Sequence, residues 1–458
     1  MTSTPTPTAG ILTLGCKVNQ YESEAIAEAL SEKGVRILPH TQVCDLYIIN
    51  TCTVTAESDR KARQFIRRAI AKNPAAYVLV TGCLAQTAPD SVAALPGVDA
   101  VIGNSEKLAV VPKALALLKS GQKMATPFRA VAPIEEAAFE PMRITRFDRT
   151  RAYVKIEDGC ENKCTYCIIP YARGRVRSKS AEDVLREVTA LTEGGCREVV
   201  LTGIETASWG KDLSPREDLA SLLCRVDAIP NIGRVRLGSL DPSLIRPELA
   251  ERLAGLSCLA PHFHLSLQSG SSRVLAAMKR KYNADMAMSA IELLRQHLPN
   301  VKFTTDVIVG FPGETEAEFE ETVDFVRRAR FLQVHIFPYS KRAGTPAATM
   351  SGQIAGEEKS RRLHRLSEVC TEIRAELLAE AVAEHPLTEV LFETYENGLA
   401  VGHTADFLEV EVPSERPLHA ELFPVRLTSS DGNRCRGTLL ADCPQEERAT
   451  EDKTDKKV

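Results

Sequence analysis

Strand-like and helix-like runs alternate along most of this chain, three times in its first hundred residues and six times between residues 152 and 337. That alternation leaves few options beyond parallel sheets faced by helices, because parallel neighbours need a crossover between them. In the first part the apolar runs are 11–14, 46–50 and 77–80. Helices are expected at 21–33, where Ile26 and Leu30 share a face and Gly34 ends the pattern, and from about residue 57. In the second part the runs are 152–156, 198–202, 234–239, 262–267, 302–309 and 333–337, with a helix over 181–194. Six units rather than eight predict a partial, open relative of the eightfold barrel, with chemistry at the carboxyl ends of its strands and room for a large substrate.

Cysteines stand where such folds collect ligands. Cys16, Cys52 and Cys83 each follow a strand end by one to three residues. In an open parallel sheet these ends converge, so three thiols distant in sequence are expected to form one site, with Asn19, Asn50 and Gln86 as polar companions. Three buried thiols in strand turns are the alternative. A second set is local: Asp158-Gly-Cys-Glu-Asn-Lys-Cys-Thr-Tyr-Cys-Ile-Ile-Pro-Tyr-Ala-Arg-Gly174 holds Cys160, Cys164 and Cys167 in one loop. Three thiolates do not complete a zinc tetrahedron, but they can hold three corners of a cubane iron-sulfur cluster and leave the fourth iron open. A zinc knuckle with a distant fourth ligand, or structural thiols, are the competing readings.

Composition narrows the class. With 458 residues, 44% hydrophobic and 26% charged, the chain reads as soluble and globular, with about three domains. A net charge of −4 excludes a polybasic protein, so nucleic-acid contacts must come from local patches. No apolar run reaches the roughly 20 residues that span a bilayer, and the first residues are not a signal peptide. The expected location is cytoplasmic, away from membranes. In that compartment the 13 cysteines read as metal ligands and ordinary thiols rather than disulfides, Cys44, Cys196, Cys224, Cys258 and Cys370 among the thiols.

The Cys-x3-Cys-x2-Cys loop resembles the signature of the radical S-adenosylmethionine (SAM) enzymes. Gly15-Cys-Lys-Val-Asn-Gln-Tyr-Glu-Ser23, Asn50-Thr-Cys-Thr-Val54 and Gly82-Cys-Leu-Ala-Gln86 look like the three motifs of the methylthiotransferase amino-terminal domain. The opening motif is most similar to that of members acting on N6-threonylcarbamoyladenosine beside the anticodon. The resemblance implies two 4Fe-4S clusters, one on Cys160, Cys164 and Cys167 that cleaves SAM to a radical, and an auxiliary one on Cys16, Cys52 and Cys83 that carries the sulfur. It also implies SAM contacts from Gly203, Ser239 and Gln268, with Tyr166 facing the adenine. The acidic residue that many family members place after the second strand has no counterpart beside Thr202 and Gly203. Each of these positions can equally be a strand-end turn. The implied division is 8–120 for the auxiliary-cluster domain, 121–147 for a linker or edge segments, 148–375 for the radical SAM core, 376–440 for a small antiparallel barrel and 441–458 for a disordered tail.

Basic residues offer two readings. Arg60, Lys61, Arg63, Arg67, Arg68 and Lys72 form either a solvated helix face or a tRNA phosphate contact. Arg173, Arg175, Arg177, Lys179 and the run Lys279-Arg-Lys281 are candidate phosphate contacts near the site mouth, while His262 and His264 are either ligands or core groups. After a charged helix at 356–383, short runs at 389–393, 399–403, 407–412, 423–427 and 435–439 predict a β-barrel resembling the RNA-binding TRAM domain. Residues 387–440 hold four basic and nine acidic groups, which opposes phosphate binding through bulk charge. The expected activity is methylthiolation of carbon 2 of threonylcarbamoyladenosine-37 in a tRNA anticodon stem-loop, with a flavodoxin- or ferredoxin-like electron donor. Isopentenyl-adenosine tRNA, a ribosomal-protein aspartate, or a non-catalytic electron carrier or scaffold are the alternatives. Lys17-Val18-Asn19, where the ribosomal-protein enzymes usually have proline after the cysteine, favours tRNA.

Overall fold

The computed structural model describes residues 6–147 and 149–440. The tail expected to be disordered lies outside them. The first sheet has six parallel strands in the order Arg36–Leu38, Thr8–Thr13, Leu46–Thr51, Tyr77–Gly82, Ala100–Ile102 and Phe128–Ala130. Residues 46–51 and 77–82 are buried throughout, as central strands covered on both faces must be. Alternation along the strands divides the covering helices. Tyr47, Ile49, Val78 and Val80 pack with Ala62 and Ile66 of the Ala56–Lys72 helix. On the other face, Leu46, Ile48 and Leu79 pack with Ile26 and Leu30 of the Lys17–Glu32 helix and Leu117 of the Val110–Ser120 helix. Strand order reverses beside Thr8–Thr13, the kind of switch point at which such sheets hold ligands. The 121–147 segment contributes Phe128–Ala130 to the edge of this sheet.

A second body follows in chain order: Ala152–Lys155, Glu198–Thr202, Arg234–Leu237 continued by Ser239–Leu240, His262–Gln268, Lys302–Val309 and Gln333–Pro338. All paired neighbours are parallel. The run expected at 234–239 is broken at Gly238, where its first half pairs with Glu198–Thr202 and its second with His262–Gln268. The sheet turns a corner there. Its first and last strands do not pair with each other among the described residues, so the barrel is open.

The Gly356–Glu384 helix leads to a closed barrel of Leu387–Glu396, Leu399–Thr404, Glu409–Pro413, Cys435–Leu439 and Leu422–Ser430, in that spatial order. The expected all-antiparallel pairing is corrected at one place, since Glu409–Pro413 and Cys435–Leu439 run parallel. Five strands cannot close with every neighbour antiparallel. Phe407 docks this module on the open barrel, stacked 4.4 Å from His262 and under the Arg236 guanidinium.

Candidate active site between two cysteine triplets

A chamber of about 650 Å³ lies where the first sheet meets the open barrel. Cys16, Cys160, Cys164 and Cys167 line it, as do Gly203, Ser239 and Gln268. Cys52 lies next to the Cys16 turn, because a Cβ on Gly15 would be 3.2 Å from its sulfur. Cys83 opens the short Cys83–Thr87 helix directly after Gly82. Gly82 has φ of 95°, and a Cβ there would stand 2.4 Å from the Thr51 carbonyl oxygen, so only glycine lets these neighbouring strand ends close up. Each of the three distant thiols is thereby within electrostatic reach of another.

Both triplets suit iron-sulfur clusters. Sulfur ligands of such clusters accept N–H hydrogen bonds that tune them, and four of these sulfurs already do. The donors are the Val54 amide to Cys52 at 3.5 Å, Asn104 Nδ2 to Cys83 at 3.6 Å, the Asn162 amide to Cys160 at 3.4 Å and Arg280 Nη1 to Cys164 at 3.2 Å. A zinc tetrahedron with 2.3 Å bonds would bring its sulfurs to about 3.8 Å from one another. Among the described residues, neither triplet gathers all its sulfurs within 4.8 Å. Burial pushes the Cys52 thiol up to about 11 and those of Cys160 and Cys167 up to about 12, so metal loading must expel protons.

Several basic residues expected at the mouth are buried instead. Arg173 donates to Glu22 at 2.8 Å, to Asp158 at 2.9 Å and to the Asn19 side-chain oxygen. Lys107 and Lys155 also pair with Glu22, at 2.9 and 3.2 Å. Lys179 donates to Tyr21 and Glu187, and Arg177 to the carbonyls of Arg173 and Arg175. Burial pushes the Glu22 carboxyl up, but Arg173, Lys107 and Lys155 outweigh it and hold it well below the usual carboxylate range. Asn19, Tyr21 and Glu22 of the opening motif therefore lock the first domain onto the barrel. Arg175 remains exposed. Asn19 Nδ2 also ties the carbonyls of Leu14 and Thr51 together, at 2.7 and 3.0 Å, and Asn50 donates to the Asn19 carbonyl at 3.0 Å. Gln86 accepts from the Ser105 amide at 3.1 Å and donates to the Ala132 carbonyl at 3.0 Å rather than to a thiol.

On the barrel side, an acidic group does follow the second strand. Glu205 lines the chamber and accepts from Asn162 Nδ2 at 3.2 Å. Burial, reinforced by Asp241, pushes its carboxyl up to about 7. The signal in the sequence is Gly203-Ile204-Glu205, where the acid stands beyond the glycine rather than beside it. Arg280 is no phosphate contact, because it spans the Cys164 sulfur and Asp241 at 2.9 Å. Asp241, held also by Ser243, is thereby withdrawn from ligand binding. Tyr166 packs beside Val274, Met278 and Phe311 and still lines the chamber. His262 is a core group, sharing the Thr304 hydroxyl with His264, whereas His264 faces the chamber. Together with Asp306 and His335 it forms a cluster whose ligand atoms lie within 4.8 Å of one another.

Outside the chamber, Arg60, Lys61, Arg67, Arg68 and Lys72 are exposed on the Ala56–Lys72 helix. Glu57 occupies Arg60, whereas Arg67 and Arg68 make no ion pair among the described residues. In the last barrel Arg416, Arg434 and Arg436 are each tied to glutamates. No helix among the described residues is long and apolar enough to cross a membrane.

Residues 154–326 match the model of the radical SAM superfamily, and residues 8–103 that of an uncharacterized protein family, UPF0004. The threonylcarbamoyladenosine tRNA methylthiotransferase MtaB of Bacillus subtilis (strain 168) is 40% identical over 92% of this chain and 93% of its own. The tRNA-2-methylthio-N(6)-dimethylallyladenosine synthase of Carboxydothermus hydrogenoformans is 36% identical over 94% of this chain and 98% of its own. Among solved structures, the radical SAM methyltransferase TsrM from Kitasatospora setae superposes with a TM-score of 0.55 at 17% identity, over 75% of this chain and 74% of its own, a likeness of fold alone. With relatives of this identity matched over more than nine-tenths of both chains, and a cysteine loop opening on the barrel's carboxyl end, the chain belongs to the radical SAM methylthiotransferase family.

Proposed function

We propose that this protein adds a methylthio group to carbon 2 of N6-threonylcarbamoyladenosine-37 in tRNA, using a 4Fe-4S cluster at each thiol triplet. The observation that supports this reading is one chamber lined by Cys16 of the first triplet and by all three cysteines of the second, in a chain 40% identical to an enzyme named for that reaction. When bound at Cys160, Cys164 and Cys167, the cluster and SAM supply radical chemistry for a carbon-hydrogen bond that acid-base catalysis leaves untouched. The chain's own residues do the rest. Glu205, set by Asn162, receives the SAM ammonium, with Gly203, Ser239 and Gln268 lining the rest of its path. Arg280 steadies Cys164, and Tyr166 supplies an apolar face. Cys16, Cys52 and Cys83 hold the auxiliary cluster in residues 8–120, the core at 148–375 holds the radical centre, and the 376–440 module serves as a TRAM-like RNA contact. The partners are the anticodon stem-loop and a small one-electron donor, in the cytoplasm.

Two cubane clusters correspond to about eight irons per chain. After anaerobic reconstitution, a variant with Cys16, Cys52 and Cys83 changed to Ala should bind about four, and so should the Cys160, Cys164 and Cys167 variant. Full iron in either would refute the ligand assignment. Mass spectrometry of tRNA from a deletion strain tests the substrate, because methylthio-threonylcarbamoyladenosine should vanish and return with the intact gene.

A further inference from the structure

The chamber contains a cation that the fold leaves without a partner. Lys17, the first residue of the Lys17–Glu32 helix, lines the cavity beside Cys16. Among the described residues its Nζ makes no ion pair and no hydrogen bond. Arg236 and Arg151 are its electrostatic neighbours, and both are tied to Glu198 at 2.8 and 2.6 Å. The acid whose charge reaches it is Asp306, on the wall of the same chamber and itself held by His264 Nε2 at 3.3 Å. His264 cannot turn away, since its Nδ1 meets the Thr304 hydroxyl at 3.0 Å. The helix that carries Lys17 has no side-chain cap and no acidic residue in its first turn, so its amide end adds to the positive field.

The arm on the adenine of threonylcarbamoyladenosine ends in a carboxylate and a hydroxyl, whereas a dimethylallyl arm has neither. Resting on the substrate reading above, we propose that Lys17 forms an ion pair with the carboxylate of the threonylcarbamoyl arm, with His335 and the Asp306–His264 pair taking the arm's other polar groups. Lys17 thereby selects this nucleoside over the dimethylallyl one. An unpaired cation on the chamber wall gains from a polar arm and loses against an apolar one, which on covering it would leave the ammonium desolvated and unpaired. The same His264, Asp306 and His335 are close enough for a divalent ion, but Lys17 stands within their field and disfavours one.

Binding separates these possibilities without turnover. Anticodon stem-loops would carry position 37 as threonylcarbamoyladenosine, its methyl ester or dimethylallyladenosine, titrated against reconstituted enzyme by fluorescence anisotropy. The acid should bind roughly tenfold or more tightly than the ester, as expected for one charge-assisted contact. Lys17→Met should erase that ratio with unchanged iron content, and Lys17→Arg should keep part of it. Equal binding of acid and ester by the unaltered protein overturns the proposal, and that comparison needs no variant to fold. A stoichiometric zinc or manganese ion lost on His264→Ala also overturns it. Failure of the substrate reading would look different, with no methylthiolation of the threonylcarbamoyl stem-loop by the unaltered enzyme.

Discussion

Glu198 shows how much rests on single buried charges. It is fully buried between Arg151 and Arg236, beneath the chamber. Burial pushes its carboxyl up, but the two arginines outweigh that and hold it at about 2. A depressed carboxylate stabilises the fold above its unfolded value and loses that contribution as pH falls toward the folded one. Glu198→Gln should therefore lower stability by about 3–5 kcal/mol at neutral pH, because the buried Arg236 loses its acidic partner and Arg151 keeps only Glu393. Melting curves should show this difference shrinking as pH drops from about 4.5 toward 2. Residue types were legible in the sequence where spacing exposed them, as with the local triplet at 160–167. Arg173 and Glu205 were not, since their roles depend on partners more than 40 residues away. Sequence shows a basic run, and only folding shows which of its members face inward.

At the scale of elements, the Ala56–Lys72 helix offers a run of free positive charge, whereas in the acidic last barrel three of the four arginines are tied to glutamates. If it tracks the anticodon stem, Arg67→Glu with Arg68→Glu should weaken tRNA binding across sequences alike. The slope of log affinity against log salt should fall by about one for each phosphate that the variant no longer neutralises. An unchanged slope would mean a merely solvated face. Alternation made the strands and helices readable, and most boundaries fall within a few residues of expectation. The corner at Gly238 escaped, because a glycine inside an apolar run does not announce that its two halves serve different sheets. The parallel pair in the last barrel escaped as well, since five runs in a row carry no record of how a ring closes.

Across the whole molecule, the first domain and the open barrel are joined through buried ions as well as apolar contact. Glu22 sits among Arg173, Lys107 and Lys155, and Tyr21 packs in the same cluster as Val154 and Leu201. Arg173→Met should destabilise the joined pair by about 3–5 kcal/mol and open 121–147 to proteases, read by melting and limited digestion. Cleavage at the unaltered rate would show the two bodies holding together without it.

The Lys17–Glu32 helix follows Cys16 directly and carries Glu22 less than two turns later, roughly 9 Å along its axis. One short rigid rod thus acts as the gauge between the Cys16 end and the body that carries the 160–167 loop. Any slackening of the clamp would register as a wider spread of spacings between the clusters proposed for the two thiol triplets, a distribution that pulsed electron resonance can measure.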